Sequence, residues 1–225
     1  MIKPQSSQID ELTGFFKRRA FLEEFPRLLA KARSQTAEMP LSLALIDLDH
    51  FLRINEDYGH QTGDKVIIEL SSVIQAAVGE EVLCARYGGD EFAILFLGKE
   101  REQAFLTLEQ IRLAMAKCEI KAREEQVIEG ISISGGVASF PVDGRSEVEL
   151  LRKADQALYR AKVAGRNQIR LAYEERMLPK TTHFTQTQLE RLAKLAESHG
   201  VSEADMLREA MDDLLTKYGV NDIES

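Results

Sequence analysis

The sequence predicts an α/β or α+β domain over about residues 9–172, followed by a small separate unit. Short apolar runs, which are typical of buried strands, alternate with longer segments in which apolar residues recur at helical spacing. After residue 172 the composition changes to a polar connector, residues 173–179, that ends in a proline. A chain of 225 residues that is 44% hydrophobic is long enough for one full domain and a small appendage.

The first part of the chain predicts a helix, a strand and a second helix. Apolar residues at helical spacing indicate a helix over about residues 17–32. Residues 40–46 form a continuous apolar run that ends at Asp47 and Asp49, which is typical of a buried strand with carboxylates at its end. The second helix is expected over about residues 64–77.

Two apolar runs, residues 82–85 and 92–97, flank Gly88 and Gly89 and predict a β-hairpin. A Gly-Gly dipeptide tolerates the positive φ angles of a tight hairpin turn. The later elements follow from the same periods. They are helices over 103–117 and 148–164 and strands over 130–140 and 168–172.

Charge and hydropathy exclude several classes of protein. The net charge of −8 gives no general attraction to nucleic acid or anionic lipid. No stretch approaches the roughly 18 consecutive apolar residues of a membrane span, and the N-terminus has no apolar secretory core. We therefore expect a cytoplasmic protein without a membrane segment.

Two adjacent acids, Asp90 and Glu91, follow the Gly-Gly turn at the start of an apolar strand. A turn that needs only glycines does not require acids there, where unpaired carboxylates are costly. If the strand that ends at Asp47 lies beside the hairpin, the three carboxylates form an oxygen cage suited to Mg²⁺ or Mn²⁺, with room for substrate phosphates. The alternative interpretation is a solvated acidic turn.

The segment from Arg86 to Phe92 resembles the GGDEF signature of diguanylate cyclases, and the resemblance covers about residues 9–172. It implies a central mixed, mostly antiparallel sheet flanked by helices over residues 1–172. Three further segments match family motifs, in family order. Their matching residues are Asp10, Leu12, Thr13, Gly14, Arg18 and Arg19; Asp47, Asp49, Phe51, Asn55, Gly59, His60, Gly63 and Asp64; and Ala154, Asp155, Ala157, Leu158, Tyr159, Ala161, Lys162, Gly165, Arg166 and Asn167.

The resemblance implies that two GTP molecules condense into cyclic di-GMP. Each 3′-hydroxyl would attack the other nucleotide's α-phosphate, with pyrophosphate leaving. Catalysis would then rest on metal ions, in-line positioning and charge stabilisation.

By motif position, the resemblance also implies four groups of site residues around the signature turn Gly88-Gly89. Which of the two adjacent acids accepts the proton stays open. The groups are the metal ligands Asp47, Asp90 and the Leu48 carbonyl; the catalytic acids Asp90 and Glu91; the guanine-reading Asn55 and Asp64; and the phosphate-binding Lys162 and Arg166, with Phe51 and Arg53 as further substrate contacts.

Three features depart from the family pattern. In the opening segment, Phe15 and Lys17 replace the more usual Leu and Asn, and we expect only local repacking there. The family commonly has Lys directly after Phe51, whereas this chain has Leu52 and then Arg53, so one phosphate contact is either missing or moved to Arg53. The family's R-x-x-D product-inhibition motif would fall at residues 79–82, which read Gly-Glu-Glu-Val. We therefore expect no inhibition by cyclic di-GMP through that primary site.

Residues 180–219 resemble the ribbon-helix-helix fold of small bacterial repressors, with residues 220–225 as a short tail. The pattern is a short strand into Thr185 followed by two helices. The resemblance implies a homodimer whose paired strands present Thr181 and His183 to double-stranded DNA, with Phe184 inward.

Two hypotheses for this unit stay open, dimerisation alone and dimerisation with DNA binding. Residues 176–225 contain six Lys and Arg against nine Asp and Glu, a net charge of −3, which argues against strong phosphate binding. For the whole chain, the main hypothesis is an active, Mg²⁺-dependent cyclase. The alternative is a noncatalytic GTP-sensing, DNA-binding transcriptional regulator.

Overall fold

The computed structural model describes residues 6–34, 39–79, 82–122, 126–172, 182–199 and 202–218. The chain divides into two compact units, Met1–Glu175 and Arg176–Ser225. The first unit contains a β-sheet covered by helices. The second has two helices in its described residues.

The described part of the first unit has eight strands and five α-helices. The strands are β1 (Phe16–Lys17), β2 (Leu41–Leu48), β3 (Leu83–Arg86), β4 (Glu91–Leu97), β5 (Ile120–Lys121), β6 (Val127–Ile128), β7 (Ile133–Phe140) and β8 (Ile169–Leu171). The helices are α1 (Arg18–Arg33), α2 (Phe51–Tyr58), α3 (His60–Val78), α4 (Arg101–Met115) and α5 (Glu147–Val163). No helix in the described ranges is both long and apolar enough to cross a membrane.

Six of the strands form one mixed sheet in the order β1-β3-β4-β2-β7-β8. The central strand β2 is antiparallel to β4 on one side and to β7 on the other. The β3–β4 pair is also antiparallel, whereas the outer pairs β1–β3 and β7–β8 are parallel. The expected fold class, a mixed and mostly antiparallel sheet flanked by helices, is therefore confirmed.

Two apolar clusters cover the two faces of the sheet. Side chains along a strand alternate between faces, so Phe92, Ile94 and Phe96 of β4 lie in one cluster and Ala93 and Leu95 in the other. Helices α3 and α4 complete the first cluster, and α1 and α5 complete the second. Every residue of β2 is buried, which explains why this strand is a continuous apolar run in the sequence.

The predicted elements of the first unit are present, but the segment after β2 differs from the prediction. No helix or strand was predicted between Asp49 and residue 64, whereas the chain forms α2 there, and α3 begins at His60 rather than near residue 64. Asp64 consequently lies inside a helix and not at its N-terminus. Strands β1, β5 and β6 have two residues each and are too short to show a periodic pattern.

The second unit has two helices in its described residues, α6 (Gln186–His199) and α7 (Glu203–Lys217). The short strand expected before Thr185 is not found in residues 182–185, because the described residues of this unit offer no backbone partner for it. Thr181 lies outside the described residues. Phe184, which was expected to point inward, is 42% exposed in the single chain.

Gly136 in β7 should accept no side chain, because α5 packs directly on it. A Cβ there would collide with backbone atoms of Ala154 and Leu158, whereas a Cβ at Gly135 would lie 2.8 Å from the flexible Cδ1 end of Ile169. We expect Gly136→Ala to lower the free energy of unfolding by about 3 kcal/mol or more and Gly135→Ala by about 1 kcal/mol. Urea denaturation of both variants measures the difference, and equal losses would contradict this packing.

Candidate functional site

The pairing of β2 with β4 brings Asp47 beside the acids of the Gly-Gly turn. Asp47 and Glu91 are direct partners in the antiparallel register. One residue further, the Leu48 backbone N–H donates a hydrogen bond to the Asp90 carbonyl at 3.2 Å. Three carboxylates from two segments therefore meet at one end of the sheet, and we call Asp47, Asp90 and Glu91 the acidic cluster.

Among the described residues, the close cation at the acidic cluster is Lys162. Burial raises the pKa of Asp47, the ammonium of Lys162 opposes this increase, and the negative charges of Asp90 and Glu91 add to it. The Lys162 Nζ lies 2.7 Å from Asp47 Oδ2. Lys162 belongs to the last turn of α5, and α5 packs on the sheet through the face that carries Asp47.

The donor set of the acidic cluster fits a small divalent cation that takes its remaining ligands from water and substrate phosphates. In the described ranges, no group of three His, Cys, Asp or Glu side chains is arranged to enclose an ion. Mg²⁺ is ordinarily held by one or two carboxylates together with substrate phosphates and water. Two carboxylates and the backbone carbonyl of Leu48 are consistent with that mode of binding, and a cation would offset the mutual repulsion of the acids.

The signature turn is held by its own backbone and by Arg86. The N–H groups of Tyr87 and Gly88 donate to the Glu91 carbonyl at 2.7 and 3.1 Å. The Arg86 guanidinium donates to the Gly89 carbonyl at 2.8 and 3.1 Å. These hydrogen bonds define where Asp90 and Glu91 leave the turn.

Arg86 also ties the signature turn to the N-terminal segment. Its Nη1 lies 3.4 Å from Asp10 Oδ2, and the Thr13 backbone N–H and hydroxyl donate to Asp10 Oδ1 at 3.0 and 2.9 Å. Burial acts to raise the pKa of Asp10, but the hydrogen bonds from Thr13 and the charge of Arg86 outweigh it and lower the pKa below its ordinary 3.8.

The glycines of the turn are not required for the reason that the sequence suggested. Neither Gly88 nor Gly89 has a positive φ angle. A Cβ at Gly88 would lie 2.5 Å from Glu91 Oε2, whereas a Cβ at Gly89 would meet nothing within 4 Å. Gly88 therefore gives the Glu91 carboxylate its space beside the backbone.

The expected guanine-reading residues lie on two packed helices. Asn55 is in α2 and half-buried, and Asp64 is on the exposed side of α3. A Cβ at Gly63 would collide with the Asn55 amide and lie 3.2 Å from Phe51 Cζ. The absence of a side chain at residue 63 thus lets the Asn55 amide pack against α3.

The expected phosphate contacts are only partly brought together. Lys162 contacts the acidic cluster, whereas Arg53 is exposed and pairs with Asp57 of the next helical turn, with Nε 3.4 Å from Oδ2. Leu52, at the position where the family commonly has Lys, is 70% exposed. Arg166 is exposed in the loop after α5.

Sequence analysis assigned no role to Asp49, although this residue is buried and its carboxylate accepts hydrogen bonds from three donors. Two of the donors are the hydroxyls of Ser132 and Ser134. Ser132 lies just before β7 and Ser134 within it. Their spacing of two residues was the available signal, since residues i and i+2 of an extended segment face the same side.

The family model described as "Diguanylate cyclase, GGDEF domain" matches residues 7–168. Among curated proteins, the chain is 35% identical over 168 residues to diguanylate cyclase DgcP of Pseudomonas aeruginosa, covering 75% of this chain and 24% of that protein. It is 37% identical over 164 residues to diguanylate cyclase DosC of Escherichia coli K12, covering 72% of this chain and 35% of that protein. The chain thus spans between about a quarter and a third of the length of these two relatives.

Solved structures give the same assignment. The GGDEF domain of DgcB from Caulobacter crescentus, in complex with c-di-GMP, superposes with a TM-score of 0.69 at 34% sequence identity. The match covers 77% of this chain and 98% of that domain. The matched portion corresponds in extent to the sheet-containing unit.

Asp10→Asn is expected to weaken the attachment of the N-terminal segment at neutral pH. A carboxylate whose pKa is lowered on folding stabilises the protein above its ordinary pKa of 3.8, and that contribution is lost as the pH falls through the lower, folded value. Urea denaturation at pH 7 should show a loss of about 1 kcal/mol that shrinks toward about pH 3. Glu11→Gln, at the exposed neighbouring carboxylate, is the control, and a pH-independent loss would contradict this role for Asp10.

Proposed function

The chain belongs to the GGDEF family of diguanylate cyclases, and we propose that it condenses two GTP molecules into cyclic di-GMP with release of two pyrophosphates. Each nucleotide's 3′-hydroxyl attacks the α-phosphate of the other, so the reaction needs two loaded sites that face each other. The observation that carries this proposal is the acidic cluster with Lys162 against Asp47. These are the residue types that a phosphoryl-transfer site requires at the reacting phosphate.

In this proposal, Asp47, Asp90 and the Leu48 carbonyl hold a divalent cation, Mg²⁺ or Mn²⁺. When bound, the cation neutralises charge that develops on the α-phosphate and on the leaving pyrophosphate. Glu91, whose carboxylate lies beside Gly88, stabilises the site or accepts the proton of the attacking 3′-hydroxyl. The division of the base role between Asp90 and Glu91 is left open.

The remaining residues bind and orient the nucleotide. Asn55 and Asp64 present an amide and a carboxylate that complement the Watson–Crick edge of guanine. Lys162 and Arg166 supply positive charge for the triphosphate. Phe51 and Arg53 belong to helix α2, which also carries Asn55. Arg53 would have to break its ion pair with Asp57 to reach a phosphate.

Two features of the proposal concern rate and control. Leu52 of α2 stands where the family commonly has Lys, so one cation is missing there and turnover should be slower than in relatives that carry Lys. Residues 79–82 lack the R-x-x-D pattern, so inhibition by product through the primary site should be absent. Residues 80 and 81 lie outside the described residues.

Product formation from GTP and Mg²⁺, followed by liquid chromatography, tests the proposal directly. We expect cyclic di-GMP from the full chain and no change in turnover when micromolar cyclic di-GMP is added. Gly88→Ala should lower turnover by at least about tenfold with little change in melting temperature, because the new methyl displaces the flexible end of Glu91. Gly144→Ala is the matched control, since its Cβ would also crowd a glutamate, with Glu149 Cβ at 2.9 Å.

Three results would contradict the cyclase proposal or its parts. Measurable GTP binding without product would favour the noncatalytic, GTP-sensing regulator. Equal turnover in Gly88→Ala and wild type would remove Glu91 from the mechanism. Noncompetitive suppression by added cyclic di-GMP would refute the absence of product inhibition.

The second unit is proposed to act as a dimerising module of ribbon-helix-helix type. Its helices leave large apolar side chains exposed in the single chain, namely Leu189, Leu195, Leu207, Met211, Leu214, Leu215 and Tyr218. Covering them against a second copy would bring two catalytic units into one assembly. DNA binding through Thr181 and His183 is the further possibility, and His183 is exposed.

Truncation after residue 172 tests the role of the second unit. The full chain should keep constant activity per chain on dilution, whereas the truncated form should lose activity steeply because its association becomes concentration-limited. A dilution profile that is identical for both forms would refute the dimerising role.

In a gel shift with random DNA, a complex at low salt that is abolished by changing Thr181 and His183 would support DNA binding, and no shift at low salt would refute it.

A further inference from the structure

Asp49 is a buried carboxylate that the proposed reaction does not use. It is 4% exposed and lies immediately after β2, one residue beyond the Leu48 carbonyl and two beyond Asp47. Burying a charge is costly unless hydrogen bonds satisfy it. The donors that hydrogen-bond to this carboxylate therefore indicate which part of the structure it holds in place.

Three donors from two distant segments converge on Asp49. Ser134 Oγ donates to Oδ1 at 2.7 Å, and Ser132 Oγ donates to Oδ2 at 2.8 Å. The backbone N–H of Asn167 also donates to Oδ2, at 2.9 Å. Hydrogen bonds to an ionised acceptor are roughly twice as strong as those between neutral groups. The carboxylate thus fastens the loop after α5 to the end of β2.

The fastened loop has an unusual backbone. Gly165, Arg166 and Asn167 have φ angles of 108°, 63° and 47°. Left-handed conformations of non-glycine residues cost on the order of 1 kcal/mol each and persist only where surrounding contacts hold them. Besides the bond to Asp49, the contacts include Arg166 N–H to the Ala161 carbonyl at 3.0 Å, Arg112 Nη1 to Asn167 Oδ1 at 3.0 Å and Gln168 Nε2 to the Arg166 carbonyl at 3.2 Å.

Arg166 is the exposed side chain in the middle of this held turn, and under the proposed function it binds the triphosphate. We propose that Asp49 is a positioning residue that fixes Arg166 relative to the Leu48 carbonyl and Asp47. One short segment, residues 47–49, then carries both the proposed metal ligands and the anchor for the loop that presents the Arg166 guanidinium. Asp49 acts through Arg166 and touches no substrate.

Asp49→Asn in the full chain is the direct test. The amide oxygen can take the place of Oδ2 and keep the Asn167 N–H, but the NH₂ group at the Oδ1 position cannot accept the Ser134 hydroxyl. The hydrogen bonds that remain are to a neutral acceptor and are therefore weaker than those to the carboxylate. The probe is 3′-deoxy-GTP with Mg²⁺, because it lacks the attacking hydroxyl and so reports binding without turnover. We expect about tenfold weaker binding than in wild type.

Asp143→Asn is the matched control. Asp143 is 2% exposed, accepts the Ser139 backbone N–H at 2.8 Å and Arg101 Nη1 at 3.0 Å, and follows the opposite end of β7. This substitution should lower the melting temperature and leave binding of 3′-deoxy-GTP unchanged. The comparison separates a general loss of stability from a loss of positioning.

A double-mutant cycle identifies the residue through which Asp49 acts. Arg166→Gln should weaken probe binding to a similar extent. The double variant, Asp49→Asn with Arg166→Gln, should bind the probe with the same affinity as whichever single variant binds it less tightly. If Asp49→Asn lowers the yield of folded protein, Ser134→Ala is the milder variant, with an expected two- to threefold loss (about half a unit of log affinity) in the same direction.

Normal probe binding in Asp49→Asn and Ser134→Ala, or additive effects of Asp49→Asn and Arg166→Gln, would overturn the positioning role. The inference rests on the proposed function only through GTP binding. Wild type that binds 3′-deoxy-GTP but makes no cyclic di-GMP from GTP would refute the cyclase alone, while the binding cycle would still decide the role of Asp49.

Discussion

The register of β2 between β4 and β7 is the constraint on which the acidic cluster depends. It places Asp47 opposite Glu91 on one side and Ser134 on the other. A slip of one residue would turn Asp47 to the opposite face of the sheet. The same slip would move Leu45 and Ile46 out of their separate apolar clusters, so core packing enforces the position of the acidic cluster.

The acidic cluster opposes folding locally. Burial and two neighbouring acids raise the pKa of Asp47, and Lys162 compensates for only part of this cost. Carboxylates held together in this way are typical of sites where function requires them. The stabilising contribution comes from elsewhere, chiefly the two apolar clusters that enclose the sheet. A cation bound at the acidic cluster would relieve the same repulsion, so its binding would be coupled to the stability of this unit.

The second unit buries very little apolar surface in the single chain. Ala196 is the one residue buried among those whose burial the structure describes in this unit. Helices α6 and α7 contact each other, yet side chains such as Leu189 and Met211 stay 43% and 54% exposed. Two helices of 14 and 15 residues bury too little apolar surface to be stable on their own. A second copy of the chain would supply the missing surface.

Local patterns in the sequence determined the alternation of helices and strands, the hairpin around Gly88-Gly89 and the identity of the acids, because periodicity and motif spacing are properties of neighbouring residues. They did not reveal helix α2, which is short and of mixed polarity, or the reason for Gly88, which is space for Glu91 rather than a positive φ. Only the tertiary structure decided that Lys162 contacts Asp47 and that Asp49 holds Asn167, 118 residues away. Such contacts depend on how α5 and its following loop pack on the sheet, and that packing is set by the whole core rather than by any segment alone.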